Sequence, residues 1–297
     1  MKLYLSQLMV IFAFLLLPFS SFAQTPRQQM VIGLIPELNV FKQIERFKPL
    51  AKYLSDATGI TVKFTILSRY GNIVDRFTAE KLDGAFFGSF TGALAIQKLG
   101  VVPLARPVNL DGESTYHGYL FVRKDSGIRS VSDMKGKKMA FVDKATTAGY
   151  IFPVAYLKEY GVSNVNNYFS ETFYAGSHDA AMYAVLSKHA DIGAAKNTVY
   201  NITRKSDPRI DKELVILAES SKVPSNGLCV RKGLNPDLVH KLREALLKLD
   251  KSPEGKAVLD KLKFVKFLPT TVDDYKPVFA MAQKAGIDLK KYTYKNE

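Results

Sequence analysis

The segment Gly118-Tyr119-Leu120-Phe121-Val122-Arg123-Lys124 returns, 109 residues later, as Gly227-Leu228-Cys229-Val230-Arg231-Lys232. Each is an apolar strand running into an Arg-Lys pair, and the block between them carries its own alternation of patterns. Residues 139–142, 172–174 and 191–194 read as strands, and 149–160 and 179–188 as helices. A matched pair flanking such a block predicts a chain that crosses from one lobe into a second and then returns. Ahead of the first crossing, strands at 31–35, 62–67 and 83–87 alternate with helices at 41–57, 72–79 and 92–99. Alternation of this kind implies α/β lobes with largely parallel sheets. From about Pro236 onward helical spacing dominates and the chain rejoins the first lobe. The expected limits are 24–120 plus 222–297 for lobe one and 121–221 for lobe two. With no long Gly/Ser linker, the crossings are short enough to act as a hinge.

Residues 1–23 have the form of a cleaved export signal. Lys2 precedes an apolar stretch from Leu8 to Leu17, then Pro18 and the small-residue exit Ser21-Phe22-Ala23. No cysteine stands at the exit to take a lipid, so the mature chain from Gln24 is expected free in a periplasm. Cys229 is the single cysteine, which excludes an internal disulfide and leaves stability to a hydrophobic core. The mature chain exceeds the usual size of one core, which again favours two lobes. Net charge is +14, carried by scattered lysines, a solvated basic surface that steers anions. Export argues against a nucleic-acid partner.

Two strand-to-helix junctions carry groups suited to binding. In Lys144-Ala145-Thr146-Thr147-Ala148-Gly149-Tyr150 two hydroxyls and a glycine open a helix, where unpaired N–H groups and the positive dipole end favour an anion. The competing reading is a threonine serving only as an N-cap. In Gly176-Ser177-His178-Asp179-Ala180-Ala181 a histidine stands at a helix entrance, where capping or packing competes with anion binding. His117, His178, His189 and His240 form no ligand-spaced cluster, and no metal or other cofactor is expected. Gly88-Ser89-Phe90-Thr91-Gly92 has the wrong order for a nucleophile elbow, and no phosphate-binding loop or His-Glu-x-x-His occurs. These absences lower the enzyme reading.

Taken in order, Ser68-Arg69-Tyr70, Asp83-Gly84-Ala85-Phe86-Phe87-Gly88, the 118–126 segment, the Thr146 to Pro153 run and Ala175-Gly176-Ser177-His178-Asp179 resemble the phosphonate-binding family. These are the periplasmic substrate-binding proteins of phosphonate, phosphite and phosphate ABC importers. The resemblance implies a type II periplasmic binding fold, two α/β lobes closing over a small anion, and an ABC permease as partner. The chain is expected to act as a monomer. The resemblance further implies oxygen contacts from Tyr70, Tyr116, Thr146, Thr147 and His178. Ala148 stands where the family has a third hydroxyl and retains only its N–H as a donor. Thr198 and Asn226 stand where aminoalkylphosphonate binders place two carboxylates. A buried ammonium without a carboxylate is strongly disfavoured, so the expected ligand is phosphate, phosphite, a simple alkylphosphonate or another compact oxyanion. Two rival readings are a sensory receptor for a membrane signalling protein and an exported phosphate-ester hydrolase using Thr147 or Ser89 with His178 as base.

Overall fold

The computed structural model describes residues 28–35, 40–67 and 73–294. The expected export signal at 1–23 and Tyr70 lie outside the described residues. In chain order the elements are β1 (Gln29–Leu34), α1 (Val40–Thr58), β2 (Thr61–Ile66), α2 (Ile73–Ala79), β3 (Gly84–Phe87), α3 (Ser89–Leu99), β4 (Val102–Asn109), β5 (Thr115–Tyr116) and β6 (Gly118–Arg123). There follow β7 (Lys138–Phe141), a π-helical turn (Thr147–Ile151) leading directly into α4 (Phe152–Glu159), α5 (Val165–Tyr168), β8 (Glu171–Tyr174), α6 (His178–Leu186), β9 (Ile192–Lys196), α7 (Asn197–Ser206), α8 (Arg209–Glu213) and β10 (Leu214–Glu219). The chain ends with β11 (Val223–Pro224), β12 (Gly227–Val230), α9 (Pro236–Leu247), α10 (Pro253–Leu262), β13 (Phe264–Pro269) and α11 (Lys276–Lys284).

The strands form a six-stranded sheet in the order β13-β4-β12-β3-β1-β2, a five-stranded sheet β10-β6-β9-β7-β8 and the small pair β11-β5. That pair lies where the chain passes between the larger sheets, outward through β5 and back through β11. The two echoed segments are therefore β6 and β12, each the first long strand after a crossing. β6 joins the second sheet from Gly118 and β10 leaves it at Glu219, each slightly ahead of the limits expected from the sequence.

The sheets are mixed rather than largely parallel. In the first, β1 runs parallel to β2 and β3, whereas β12 and β13 run antiparallel to their neighbours. In the second, β7 is parallel to β8 and β9, and β6 is antiparallel to β9 and β10. Nor is the region after Pro236 wholly helical, since β13 adds an edge strand to the first sheet.

Three apolar clusters hold these layers. One packs α1, α9 and α10 on the first sheet through Ile32, Leu34, Leu50, Leu54, Leu242 and Leu246, all fully buried. Another fills the second sheet beneath α6. The third runs without a break from Phe87, Phe90 and Leu94 to Leu120, Phe141, Ile151 and Leu157, joining the two lobes in this conformation. On α9 the sequence signals are direct: Asn235 accepts from the N–H groups of Asp237 and Leu238 at 2.9 and 3.3 Å, and Pro236 occupies the first turn.

Candidate functional site

The 143–151 segment is assembled from local hydrogen bonds. Ala145 N–H donates to Asp143 Oδ1 at 2.7 Å, and Thr146 donates both its N–H, at 2.9 Å, and its hydroxyl, at 2.6 Å, to the Asp143 carbonyl. Thr146 is thus spent on shaping the turn. The helix opens at Thr147, two residues earlier than the sequence pattern indicates, and its first turn is π-helical. Ile151 N–H reaches back to the Thr146 carbonyl at 3.1 Å. The first N–H groups of such a turn have no carbonyl of their own helix to bond. Thr147 is 4% exposed, and its Oγ1 is buried without a hydrogen-bond partner. A buried hydroxyl left unpaired is destabilising by about 1–3 kcal/mol.

Two close approaches fix this turn. A Cβ at Gly149 would lie 2.4 Å from Val142 Cβ, and one at Gly118 would lie 3.1 Å from Ala148 Cα and 2.7 Å from Phe152 Cδ1. Only glycine lets β6 come so near Ala148, and this contact seats the helix opening directly beside the crossing. Ala148 is buried and offers no side-chain donor.

At the crossing itself, Tyr116 lies in β5 opposite Val223 of β11. The Ser89 hydroxyl, at the start of α3, is 2.8 Å from the Tyr116 hydroxyl and 2.6 Å from the Pro224 carbonyl. A carbonyl can only accept, so Ser89 gives its one proton to Pro224 and its second bond is completed by the Tyr116 proton. Tyr116 therefore ties the first turn of α3 to both crossings. Asn226 lies between β11 and β12, with its Oδ1 3.6 Å from the Cβ position of Gly88, the residue that precedes α3. The Lys196 ammonium lies 4.3 Å from the centre of the Tyr116 ring.

His178 opens α6 behind its N-cap Ser177, whose hydroxyl accepts from Ala180 N–H at 3.3 Å. The imidazole Nδ1 accepts from the Lys196 N–H at 3.2 Å, which assigns the proton to Nε2. Burial, with the Lys196 charge in support and Asp179 opposing, pushes the His178 pKa down to about 3. The ring is neutral at ordinary pH and remains an N–H donor. Thr198 lies in the first turn of α7, which contains no acidic residue. Among the described residues no group of three His, Cys, Asp or Glu side chains is placed to hold a metal.

The structure thus links His178, Lys196 and Tyr116 in one chain of contacts, and places Thr147 and Ala148 beside the strand that follows Tyr116. Sequence reasoning weighed Ser89 only as a nucleophile and did not anticipate the contacts that Ser89 and Lys196 make with Tyr116. The signal for α3 was available, because Gly88-Ser89 follows a strand as Thr146-Thr147 does. Ser89 is 1% exposed and donates to Pro224, which leaves it unsuited to the nucleophilic role considered for it.

Residues 32–275 match the family described as ABC transporter, phosphonate, periplasmic substrate-binding protein. The chain belongs to that family. It is a substrate-binding protein and not an enzyme. It is 29% identical over 241 residues to the phosphate-import protein PhnD of Mycolicibacterium smegmatis, covering 76% of this chain and 73% of that one. It is 25% identical over 280 residues to the probable ABC transporter phosphite binding protein PhnD1 of Prochlorococcus marinus, covering 90% and 93%. The structure of PhnD1 in complex with methylphosphonate superimposes with a TM-score of 0.72 at 22% identity, covering 88% of this chain and 99% of that one. The fold is that of the two-lobed type II periplasmic binding proteins.

Proposed function

We propose that this family member captures a small phosphorus oxyanion lacking an amine (phosphate, phosphite or a simple alkylphosphonate) in the periplasm and delivers it to an ABC permease as a monomer. The observation that carries this reading is the buried, unpartnered Thr147 hydroxyl at a helix opening whose N–H groups are free of their own helix. In the proposed complex Thr147 and the N–H groups of Thr147, Ala148 and Gly149 donate from one wall. The Nε2 proton of His178 adds a neutral donor and Tyr116 lines the side facing the crossing, while Tyr70 is assigned an oxygen contact by the family resemblance alone. Thr146 holds the turn through Asp143. Thr198 and Asn226 supply uncharged polar groups where an ammonium would need carboxylates. The printed ligands of the relatives, phosphate, phosphite and methylphosphonate, support the same class. Residues 24–120 with 222–297 would move as one lobe against 121–221, after cleavage of the 1–23 signal.

Calorimetry on refolded, ligand-free protein tests the reading, with phosphate, phosphite, methylphosphonate, sulfate and 2-aminoethylphosphonate titrated in parallel. The expected result is tightest binding by one of the first three. Tighter binding of 2-aminoethylphosphonate than of every simple oxyanion would show that the amine has found a partner and that the charge reasoning is wrong.

A further inference from the structure

After α11 the chain turns at Gly286 and its last described residues touch both lobes. We propose that Tyr292, in this C-terminal segment, is a positioning residue for the 143–147 turn, clasping the anion-binding wall of the second lobe to the helices of the first. The role rests on the binding reading given above.

One side of Tyr292 belongs to the first lobe. Its ring meets Phe90, in the first turn of α3, edge-on at 5.4 Å and 82°. Its carbonyl accepts from Lys98 Nζ at 2.7 Å. It stacks at 5.8 Å on Tyr294, whose hydroxyl accepts from the N–H of Ile73 at the start of α2, 3.3 Å away. The other side reaches the second lobe, where the Tyr292 hydroxyl donates to the Lys144 carbonyl at 3.0 Å. Lys144 lies between Asp143, which accepts from Ala145 and Thr146, and Thr146 itself. Anchoring its carbonyl fixes the peptide plane from which Thr146 and Thr147 follow. Burial, with Tyr150 and Tyr174 nearby, raises the Tyr292 pKa far above its ordinary range, so the phenol stays a donor.

The segment starts from a second contact of the same kind. α11 packs against α4, and Lys284 pairs with Glu159. Together α11 and the segment after it therefore contact both lobes, in addition to the two covalent crossings. Opening the lobes must break the bond to Lys144 or drag the tail along, so this bond favours the closed form, in which the ligand is held.

The test compares Tyr292→Phe, which removes only the interlobe bond and keeps the ring, with Tyr294→Phe, which removes a bond confined to the first lobe. Each is titrated with whichever of phosphate, phosphite or methylphosphonate binds the parent most tightly, with dissociation followed by stopped flow. Amide hydrogen exchange over 143–151 is measured without ligand. Tyr292→Phe is expected to bind about 3- to 10-fold more weakly, through faster release, and to exchange faster over 143–151. Tyr294→Phe should stay within about twofold of the parent on both measures. Equal effects of the two substitutions, or parental behaviour of Tyr292→Phe, would overturn the proposal. If the parent binds none of the three anions, the binding reading has failed. The exchange measurement then still decides whether Tyr292 orders the turn.

Discussion

Replacing Thr147 with valine separates what this residue does for the ligand from what it does for the fold. The side chain keeps its shape and loses one hydroxyl, at a position 4% exposed where no group among the described residues bonds that hydroxyl. In the complex the lost bond is one to a charged oxygen, worth about 1.5–3 kcal/mol, or roughly 10- to 150-fold in Kd. In the free protein the same change removes a buried unsatisfied group and is neutral or stabilising, by up to about 1–3 kcal/mol. The two effects therefore have opposite signs. Calorimetric titration should show the weakened binding, and thermal unfolding without ligand should show a Tm equal to or above the parent's. The ligand-induced rise in Tm should shrink in step with the lost affinity. Unchanged affinity would remove Thr147 from the site. A ligand-free protein that melts several degrees lower would mean that the hydroxyl has a structural role in the fold.

Three further outcomes are expected. Thr198→Glu with Asn226→Asp should raise affinity for 2-aminoethylphosphonate at least tenfold and lower it for phosphate, since each carboxylate adds a charged bond to the amine and repels a dianion; unchanged selectivity by calorimetry would place these residues away from the ligand. For His178 the folded pKa of about 3 lies below the ordinary value near 6.5, so between those limits the unfolded chain binds the proton more readily. Its contribution to stability is complete above about pH 6.5 and is lost as pH falls toward 3; Tm should thus drop more between pH 7.5 and 4.5 in the parent than in His178→Asn, and equal drops would contradict this. Gly118→Ala should destabilise by about 1–3 kcal/mol, because its Cβ would lie 2.7 Å from Phe152 and 3.1 Å from Ala148; a parental melting curve would show that the approach is slack.

What the sequence makes legible is what local patterns encode. The echoed strands announce themselves by composition and emerge as β6 and β12, yet the crossings proper are two-residue strands, too short for any period to register. β4 goes unread because Pro103 and Pro107 interrupt it, and prolines argue against an interior strand. The sheet tolerates them with register shifts on both sides, between Leu228 and Cys229 and between Phe264 and Lys266. The Thr146-Thr147 junction is recognisable because a strand followed by hydroxyls and a helix is a local signature. That the helix opens as a π turn, with Gly149 close against Val142, is nothing a spacing rule conveys. Lys196 over Tyr116 and Tyr292 on Lys144 are tertiary meetings, the second between residues 148 apart in the chain.

The place of β12 has a consequence for how the molecule comes into being. It lies between β3 and β4 in the first sheet, but it is made only after the whole second sheet has been laid down. The 118–219 segment holds every strand of its own sheet, whereas the first 117 residues supply a sheet missing a central member, β12, and an edge member, β13. A chain emerging N-terminus first completes its second lobe before it can complete its first. The starting half lacks its central strand until residue 230 arrives and its edge strand until residue 269, whereas the sheet that leads into Thr147 is already complete at residue 219.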